Sequence, residues 1–232
     1  MTPEQEPLLA RQKERENDQQ AWAEASARGD IARTAQDALK GRSRSQYAQL
    51  RAAPSISKRI HWLRQIAGTF AEAVAPQAAC KAGCSACCHL PVVMSRQEAE
   101  LIARETGAPL SLPSEWVHEP KMQYVGQACT FLVDARCAIY EHRPLPCRTI
   151  YNMDSDALLC EAIPGHPSKV PYANAEHLNA LYVQTHAMGL KDPQITDFQV
   201  GDLREFFPTG LRSSENTAKT ASSTMPTGAG SY

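Results

Sequence analysis

Seven of the eight cysteines in this 232-residue chain fall in two tight clusters, and this feature constrains the fold more than any other. The first cluster is Cys80, Cys84, Cys87 and Cys88, and the second is Cys129, Cys137 and Cys147. Thiolates bind soft, thiophilic metals such as zinc and iron because they are anionic and polarisable. Close spacing lets a short irregular loop present several sulfurs to one ion. The clusters therefore predict a metal site with all seven cysteines as ligands.

The redox compartment decides between metal ligation and disulfides. Residues 1–20 are charged and contain no apolar core, which is unlike a signal peptide. The most apolar stretch, over 66–79, is too short to span a bilayer. We therefore expect a cytoplasmic protein with no membrane partner. Cytoplasmic thiols are kept reduced, so clustered cysteines there are more often metal ligands than disulfides.

The charge balance excludes one further class of partner. The chain has 24 basic and 25 acidic residues, which give a formal net charge of -1. No overall positive field attracts a phosphate backbone, so we expect no nucleic-acid partner.

The composition divides the chain into three parts. Residues 1–53 favour helix and carry few apolar side chains, so we predict a helical extension of two or three helices with breaks at Gly29 and Gly41. This extension is a docked element, an arm for a protein partner or a solvated appendage. Residues 54–212 form the predicted cysteine-cluster domain. Residues 213–232 are rich in Ser, Thr, Ala and Gly and are predicted to be a disordered tail.

Apolar spacing and capping residues predict the helices of the domain. They cover 55–74, 96–106 and 172–189, with a final helical turn over 202–207. Ser95 is the predicted N-cap of the second helix, with Glu98 at the capping-box position and Gly107 as the C-terminal stop.

Short β-prone runs complete the prediction. Residues 90–94 predict one strand, and the runs 130–133 and 137–140 predict a hairpin with a three-residue turn. The fold class is therefore mainly α with a small β-hairpin. It is an irregular, cysteine-rich domain organised by metal, with an N-terminal helical extension.

The order of the motifs adds a family resemblance. The run Cys80-x3-Cys84-x2-Cys87-Cys88, followed by Cys137-Ala-Ile-Tyr140 and Arg143-Pro144-x2-Cys147-Arg148, resembles the YkgJ-type cysteine-cluster family. That family is described as a zinc- or iron-chelating domain with a CxxCxxCC signature. The resemblance covers residues 80–150, although the first gap here has three residues and Thr130 stands where proline is commoner. It implies zinc or iron as the bound group and gives no reaction.

The number of thiols leaves the nuclearity open. A closed zinc site needs four ligands, and vicinal cysteines such as Cys87 and Cys88 point in different directions. One explanation is a polynuclear site with bridging thiolates, or two neighbouring sites. The other is one four-thiol site with spare reactive cysteines. Cys160 stands apart in the sequence and is interpreted as a small buried hydrophobic residue.

Five other residues near the clusters are candidates for a supporting role. Arg143 and Arg148 are candidates to neutralise a thiolate site and to hydrogen-bond its sulfurs, with an ordinary ion pair as the alternative. Tyr140 is a candidate donor to the ligands, although packing is the simpler interpretation. His89 and His142 lie beside the cysteines, but seven thiols leave little need for imidazole.

Three hypotheses for function follow. The first is a metal-binding protein that chelates zinc or iron in a structural or regulatory role. The second is a redox protein with an iron–sulfur cluster, or an enzyme that uses a reactive thiolate such as Cys87 or Cys88. The third is a protein-interaction module on a structural metal site. The chain contains no nucleotide-binding or hydrolase motif, and no catalytic residue is assigned.

Overall fold

A computed structural model describes residues 2–116, 120–187 and 199–211 of the chain. The helices are α1 Gln5–Asn17, α2 Gln19–Ala38, α3 Lys40–Ala52, α4 Ile56–Val74, α5 Arg96–Thr106, α6 Pro146–Thr149, α7 Glu176–Ala187 and α8 Leu203–Phe206. The strands are β1 Val93–Ser95, β2 Leu132–Val133, β3 Arg136–Cys137 and β4 Val200–Asp202. The predicted class, mainly α with a small β-hairpin, is confirmed. No helix in these ranges is long and apolar enough to cross a membrane.

The N-terminal extension forms three helices, but they do not break where the sequence predicts. Gly29 lies inside α2 and Gly41 inside α3, so both predicted breaks are wrong. The first break is at Asp18, whose carboxylate accepts hydrogen bonds from two backbone N–H groups of α2. The second is at Leu39. A helical glycine costs only about 1 kcal/mol relative to alanine, so packing elsewhere along a helix outweighs it.

The extension is docked on α4, which also excludes the solvated-appendage interpretation. Ser55 caps α4 through its hydroxyl, which accepts a hydrogen bond from the N–H of Lys58 at 3.3 Å. Ala25 and Ala32 of α2 and Leu50 of α3 are buried in the same apolar cluster as α4. Removing a buried leucine side chain costs roughly 2–5 kcal/mol, so this docking is a substantial part of the fold.

The apolar interior consists of two clusters of buried residues. The first gathers α2, α3, α4 and α7 around side chains such as Leu63, Phe70 and Leu178. The second gathers β1, α5, the β2–β3 hairpin and α8, and its members are Val92, Met94, Ala99, Ile102, Ala108, Phe131, Ile139, Leu203, Phe206 and Phe207. The loops that carry the cysteines contact both clusters.

The strands pair antiparallel in two small sheets. β1 pairs with β4, with Met94 opposite Gly201, so the predicted strand over 90–94 is shifted toward the C-terminus and gains a partner that was not predicted. β2 pairs with β3, and Val133 is opposite Arg136. The turn of this hairpin therefore has two residues and not the predicted three. Asp134 and Ala135 occupy it with φ values of 48° and 57°, which is typical of a type I′ turn.

The α5 helix begins and ends as predicted, but its capping box is absent. Ser95 accepts a hydrogen bond from the N–H of Glu98 at 3.1 Å, and Gly107 ends the helix at φ 73°. The Glu98 carboxylate instead lies in the interior, where it accepts hydrogen bonds from the N–H of Leu145 and the hydroxyl of Tyr182. The N–H of Ser95 donates to the Tyr182 hydroxyl at 2.7 Å, so its capping partner is this phenol.

The C-terminal elements agree with the prediction within the described ranges. Helix α7 begins at Glu176, four residues later than predicted. The N–H of Ala173 donates to the carbonyl of Tyr151, which keeps this residue outside the helix. The side-chain oxygen of Asn174 then accepts a hydrogen bond from the N–H of Glu176 at the start of the helix. The predicted turn over 202–207 forms as α8, with a capping box between Asp202 and Glu205. Residues 188–189 of the predicted helix and the predicted tail over 213–232 lie outside the described residues.

Candidate metal centre

The first cysteine cluster lies on a series of tight turns after α4. The N–H of Cys84 donates to the carbonyl of Lys81 at 2.9 Å, across a turn in which Gly83 has φ 89°. A short 3₁₀ turn over Ala86–His89 then carries Cys87 and Cys88. Cys84 is exposed, whereas Cys87 and Cys88 are half-buried. Such turns present sulfurs in several directions without a regular helix or strand.

Backbone hydrogen bonds bring the second cluster against the first. The N–H of Cys129 donates to the carbonyl of Cys88 at 2.7 Å, and the N–H of Gly126 donates to the carbonyl of His89 at 2.8 Å. Cys137 then lies on β3. The two clusters, which are 40 residues apart in the chain, therefore meet in the fold.

Arg204 of α8 fastens this junction, and sequence reasoning missed it. Its guanidinium donates to four backbone carbonyl groups, those of Cys88, Leu90, Gln127 and Ala128, at 2.6–3.3 Å. It also pairs with the buried carboxylate of Asp202 at 3.3 Å. Because Arg204 is only 6% exposed, these contacts exclude water and fix the two loops against each other. Arg204 is far from every cysteine in the sequence, so no local pattern indicates this role.

The thiols of the second cluster pack on the second apolar cluster and interact with one another. Cys129, Cys137 and Cys147 all contact it. Burial raises the pKa of Cys147 well above its usual range, and the charges of Cys87 and Cys129 raise that pKa further. The mutual repulsion shows that these sulfurs share one electrostatic neighbourhood.

The adjacent residues Cys87 and Cys88 interact with thiols of both cysteine clusters. The thiol of Cys88 donates a hydrogen bond to the sulfur of Cys87 and lowers the pKa of Cys87 to about 7, with the charge of Arg143 acting in the same direction. The same hydrogen bond raises the pKa of Cys88, as does burial. Cys87 is therefore the thiol of the pair that ionises first.

Cys160, which the sequence analysis interprets as an isolated hydrophobic residue, is half-buried, and its thiol interacts with thiols of the first cluster. It is the last residue of a short 3₁₀ turn over Leu158–Cys160. Burial, and then the charges of Cys80 and Cys84, raise the pKa of Cys160 to about 12. The gap of twelve residues between Cys147 and Cys160 contains nothing in the sequence that would place this thiol beside residues 80–84.

Asn152 is the residue that connects Cys160 to Cys80. Its backbone N–H donates to the sulfur of Cys80, and its side-chain amide donates to the sulfur of Cys160. Its carbonyl accepts a hydrogen bond from the N–H of Ala79 at 2.8 Å. Asn152 is 1% exposed, so both sulfurs are held by a fixed, buried partner.

Two of the predicted supporting residues lie at the thiols. The guanidinium of Arg143 stacks on the ring of Tyr140 at 3.9 Å, and its Nε atom is buried without a hydrogen-bond partner. Against the dominant effect of burial, the charges of Arg143 and Arg148 lower the pKa of Cys137. Arg148 donates to the carbonyl of Arg143 at 2.8 Å. Both arginines therefore contribute positive charge at the second cluster, while Tyr140 orients one of them.

The comparison with known families covers these segments. Residues 79–170 match a family model described as "CxxCxxCC: Putative zinc- or iron-chelating domain". The expected resemblance is confirmed. The matched range extends beyond 80–150 and includes Cys160. No curated protein and no solved structure matches the chain. The match to the CxxCxxCC domain supports metal binding, and the N-terminal helices lie outside it.

The two histidines that adjoin cysteines in the matched segment have partners other than the thiols. The Nδ1 atom of His89 is 3.2 Å from the carbonyl oxygen of Ser85, within its own turn. His142 contacts the carboxylate of Glu105 on α5 at 3.0 Å. These contacts agree with a centre built from sulfur ligands.

The thiols of the matched segment fit a thiophilic metal by their chemistry. In the ranges 2–116, 120–187 and 199–211, no three His, Cys, Asp or Glu side chains are already grouped closely enough to hold an ion. All eight cysteines are nevertheless free of disulfides. A bound cation lowers the pKa of a coordinating thiol and so reverses the mutual repulsion described above.

Proposed function

We propose that this protein binds zinc or iron through the thiolates of its CxxCxxCC domain, in a structural or regulatory role. The single observation that carries the proposal is the junction of the two clusters. The Cys129–Cys88 hydrogen bond and the Arg204 contacts bring distant thiol-bearing loops together through buried polar groups. Such a convergence of thiols is expected of a soft-metal site and has no use in apolar packing. The proposed metal-binding domain spans 54–212.

The proposed ligands are the seven clustered cysteines, Cys80, Cys84, Cys87, Cys88, Cys129, Cys137 and Cys147, together with Cys160. Their interactions divide into two groups. Cys160 interacts with thiols of the first cluster, and Cys147 with Cys129 and Cys137 of the second. Cys87 interacts with both groups. We propose two neighbouring sites or one polynuclear site, because eight thiols exceed the four ligands of a single closed site.

Charge supports the same assignment. Four thiolates around a divalent ion carry a net charge of about -2, which a half-buried site must offset. Arg143 lies beside the thiols, and its buried Nε–H has no partner in the described residues. A sulfur acceptor would satisfy this donor, which is the usual outer-shell role of arginine at an anionic metal site.

An iron–sulfur cluster is the second candidate, because eight cysteines in two groups also supply the four thiolates that each such cluster requires. That group would supply electron transfer when bound. Zinc would supply only structure, since it has no redox chemistry. The redox hypothesis and the chelation hypothesis therefore share ligands and differ in the metal.

The proposed location is the cytoplasm, where a reducing environment keeps eight free thiols available for metal. The third hypothesis, a protein partner bound by the N-terminal helices, loses its main motivation because these helices dock on α4.

One experiment tests the proposal. The protein is purified without oxygen, and its optical spectrum and elemental content are measured for wild type, Cys147→Ser and Cys160→Ser. Ala138→Ser is the control, because Ala138 is an exposed small residue beside Cys137. We expect stoichiometric metal in wild type and control and less in both cysteine variants. A brown sample absorbing near 400 nm would identify the iron–sulfur alternative. A colourless, metal-free wild-type protein would refute metal binding.

A further inference from the structure

Helix α1 contacts the loop that carries Cys160, although α1 lies outside the segment that matches the CxxCxxCC domain. Gln12 is 1% exposed, and its Nε2 group donates to the carbonyl of Leu158 at 2.9 Å and to that of Glu161 at 2.8 Å. These two carbonyl groups flank Cys160 in the sequence. One amide therefore holds the backbone on both sides of the thiol.

A second contact holds the start of the same loop. The guanidinium of Arg15 bonds to the carboxylates of Asp154 at 2.8 Å and Asp156 at 3.2 Å, and to the hydroxyl of Ser155 at 3.0 Å. The Asp154 side chain is 2% exposed, so this ion pair is largely shielded from solvent. Hydrogen bonds to charged groups are stronger than bonds between neutral groups, so Arg15 holds the loop firmly at Asp154.

Asn152 connects this loop to the segment that carries Cys80. The side-chain oxygen of Asn152 accepts from the N–H of Asp154, and its amide donates to the carbonyl of Asp156, each at 2.8 Å. The carbonyl of Asn152 also accepts a hydrogen bond from the N–H of Ala79, the residue before Cys80, at 2.8 Å. Three or fewer hydrogen bonds therefore separate α1 from the backbone beside two proposed ligands, Cys80 and Cys160.

Packing alone does not explain the placement of α1. Gln12 is the one buried residue of this helix, and it is polar. A helix that docked only to cover apolar surface would bury an apolar stripe. Here the buried position is used to donate to two carbonyl groups beside a thiol.

We propose that α1 is a clamp, in which Gln12 and Arg15 are positioning residues that set how fast metal leaves the thiols around Cys160. This inference rests on the proposed metal binding. The clamp slows release because Cys160 and Cys80 cannot separate while Asn152 and its loop are fixed. Opening the loop frees one proposed ligand from its group.

The test measures zinc transfer from the anaerobically zinc-loaded full-length protein to a colorimetric chelator. Gln12→Glu places a carboxylate against two carbonyl oxygens and removes both donors. Gln19→Glu makes the same change at an exposed position of α2. We expect release to accelerate about tenfold or more in Gln12→Glu, since a buried carbonyl left unsatisfied carries a penalty of that order. The Gln19→Glu control should match wild type.

A double-mutant comparison separates positioning from general destabilisation. In a Cys160→Ser background the two carbonyl groups that Gln12 holds no longer flank a ligand, so adding Gln12→Glu should change the release rate less than twofold. An undiminished acceleration in that background would overturn the clamp, as would equal release from Gln12→Glu and wild type. If Gln12→Glu does not fold, Arg15→Gln with exposed Arg11→Gln as its control replaces it, with the same expectations. Wild-type protein that takes up neither zinc nor iron would refute the proposed function itself.

Discussion

The backbone N–H of Cys129 donates to the carbonyl oxygen of Cys88 at 2.7 Å, which joins the two cysteine clusters through the main chain. The same carbonyl accepts a second hydrogen bond from Arg204 at 3.1 Å. The junction is therefore held by protein groups and does not depend on the thiols themselves. Its stability can be measured separately from metal content.

Replacing Arg204 with methionine should destabilise the protein by about 3 kcal/mol. The change leaves Asp202 as a buried carboxylate without its guanidinium and removes the donors to four carbonyl groups. Urea denaturation of the metal-loaded protein measures the effect. Arg136→Met, at an exposed position of the hairpin, is the control. A loss below about 1 kcal/mol, within the range of surface substitutions, would show that Arg204 does not hold the junction.

The buried carboxylate of Glu98 should make stability depend on pH. Burial raises the pKa of Glu98 above its ordinary value of 4.5, with Arg64 opposing the effect. As pH rises above 4.5, the unfolded chain releases this proton more readily than the fold does, so the contribution of Glu98 to stability falls until the pH passes its folded pKa. Glu98→Gln should therefore gain stability relative to wild type as the pH rises from 4.5 toward the raised folded pKa.

Parallel denaturation of wild type and variant across this range provides the measurement, because all other titrating groups cancel in the difference. The exposed Glu14→Gln variant should show no such trend. A difference between Glu98→Gln and wild type that stays constant with pH would contradict the raised pKa.

A turn substitution should stabilise the hairpin. Ala135 has φ 57°, in the left-handed region that costs a residue with a Cβ roughly 1 kcal/mol or more. Ala135→Gly should therefore raise the free energy of unfolding by about 0.5–1 kcal/mol, as Asp-Gly is a preferred sequence for this two-residue turn. Thermal unfolding compares it with Ala138→Gly, outside the positive-φ turn, which should be neutral or destabilising. A destabilised Ala135→Gly would mean that the turn adopts another conformation.

Sequence analysis predicts the helices and strands that local signals determine. It fails where residues far apart in the chain determine the structure through tertiary contacts. The α4 helix, the Ser95 cap and the hairpin follow from spacing and capping preferences within about twenty residues. The Glu98 capping box fails because Tyr182, far along the chain, takes its place at the Ser95 N–H. Gly29 fails as a break because tertiary packing of Ala25 and Ala32 outweighs its local cost.

The residues of the candidate site likewise differ in whether local sequence signals reveal them. The seven clustered cysteines and Arg143 are visible from spacing alone. Cys160 and Arg204 are not, because each reaches the site through contacts whose sequence separation carries no periodic pattern. Gln12 is hidden for a further reason: glutamine is common on exposed helix faces, and nothing in α1 marks this one as buried.

Metal removal should loosen the cysteine loops and spare α4. Residues 80–89 and 126–148 are turns and short elements, whereas α4 is a helix of 19 residues in the first apolar cluster. Structural thiolate sites contribute on the order of 10 kcal/mol of binding energy that appears as folding energy. Hydrogen exchange after treatment with a chelator should therefore rise in both loops while α4 stays protected. Unchanged exchange in the loops after confirmed metal loss would contradict this expectation.

The central claim is that all eight cysteines, Cys160 included, hold metal. Alkylation of the native, anaerobically purified protein followed by peptide mass spectrometry measures the protection of each thiol, alongside elemental analysis of the same sample. The account predicts stoichiometric zinc or iron and protection of all eight thiols that is lost on chelation, including exposed Cys84. A sample that contains metal but alkylates at Cys160 as fast as after chelation would contradict the eight-thiol centre, and a metal-free sample would contradict the account as a whole.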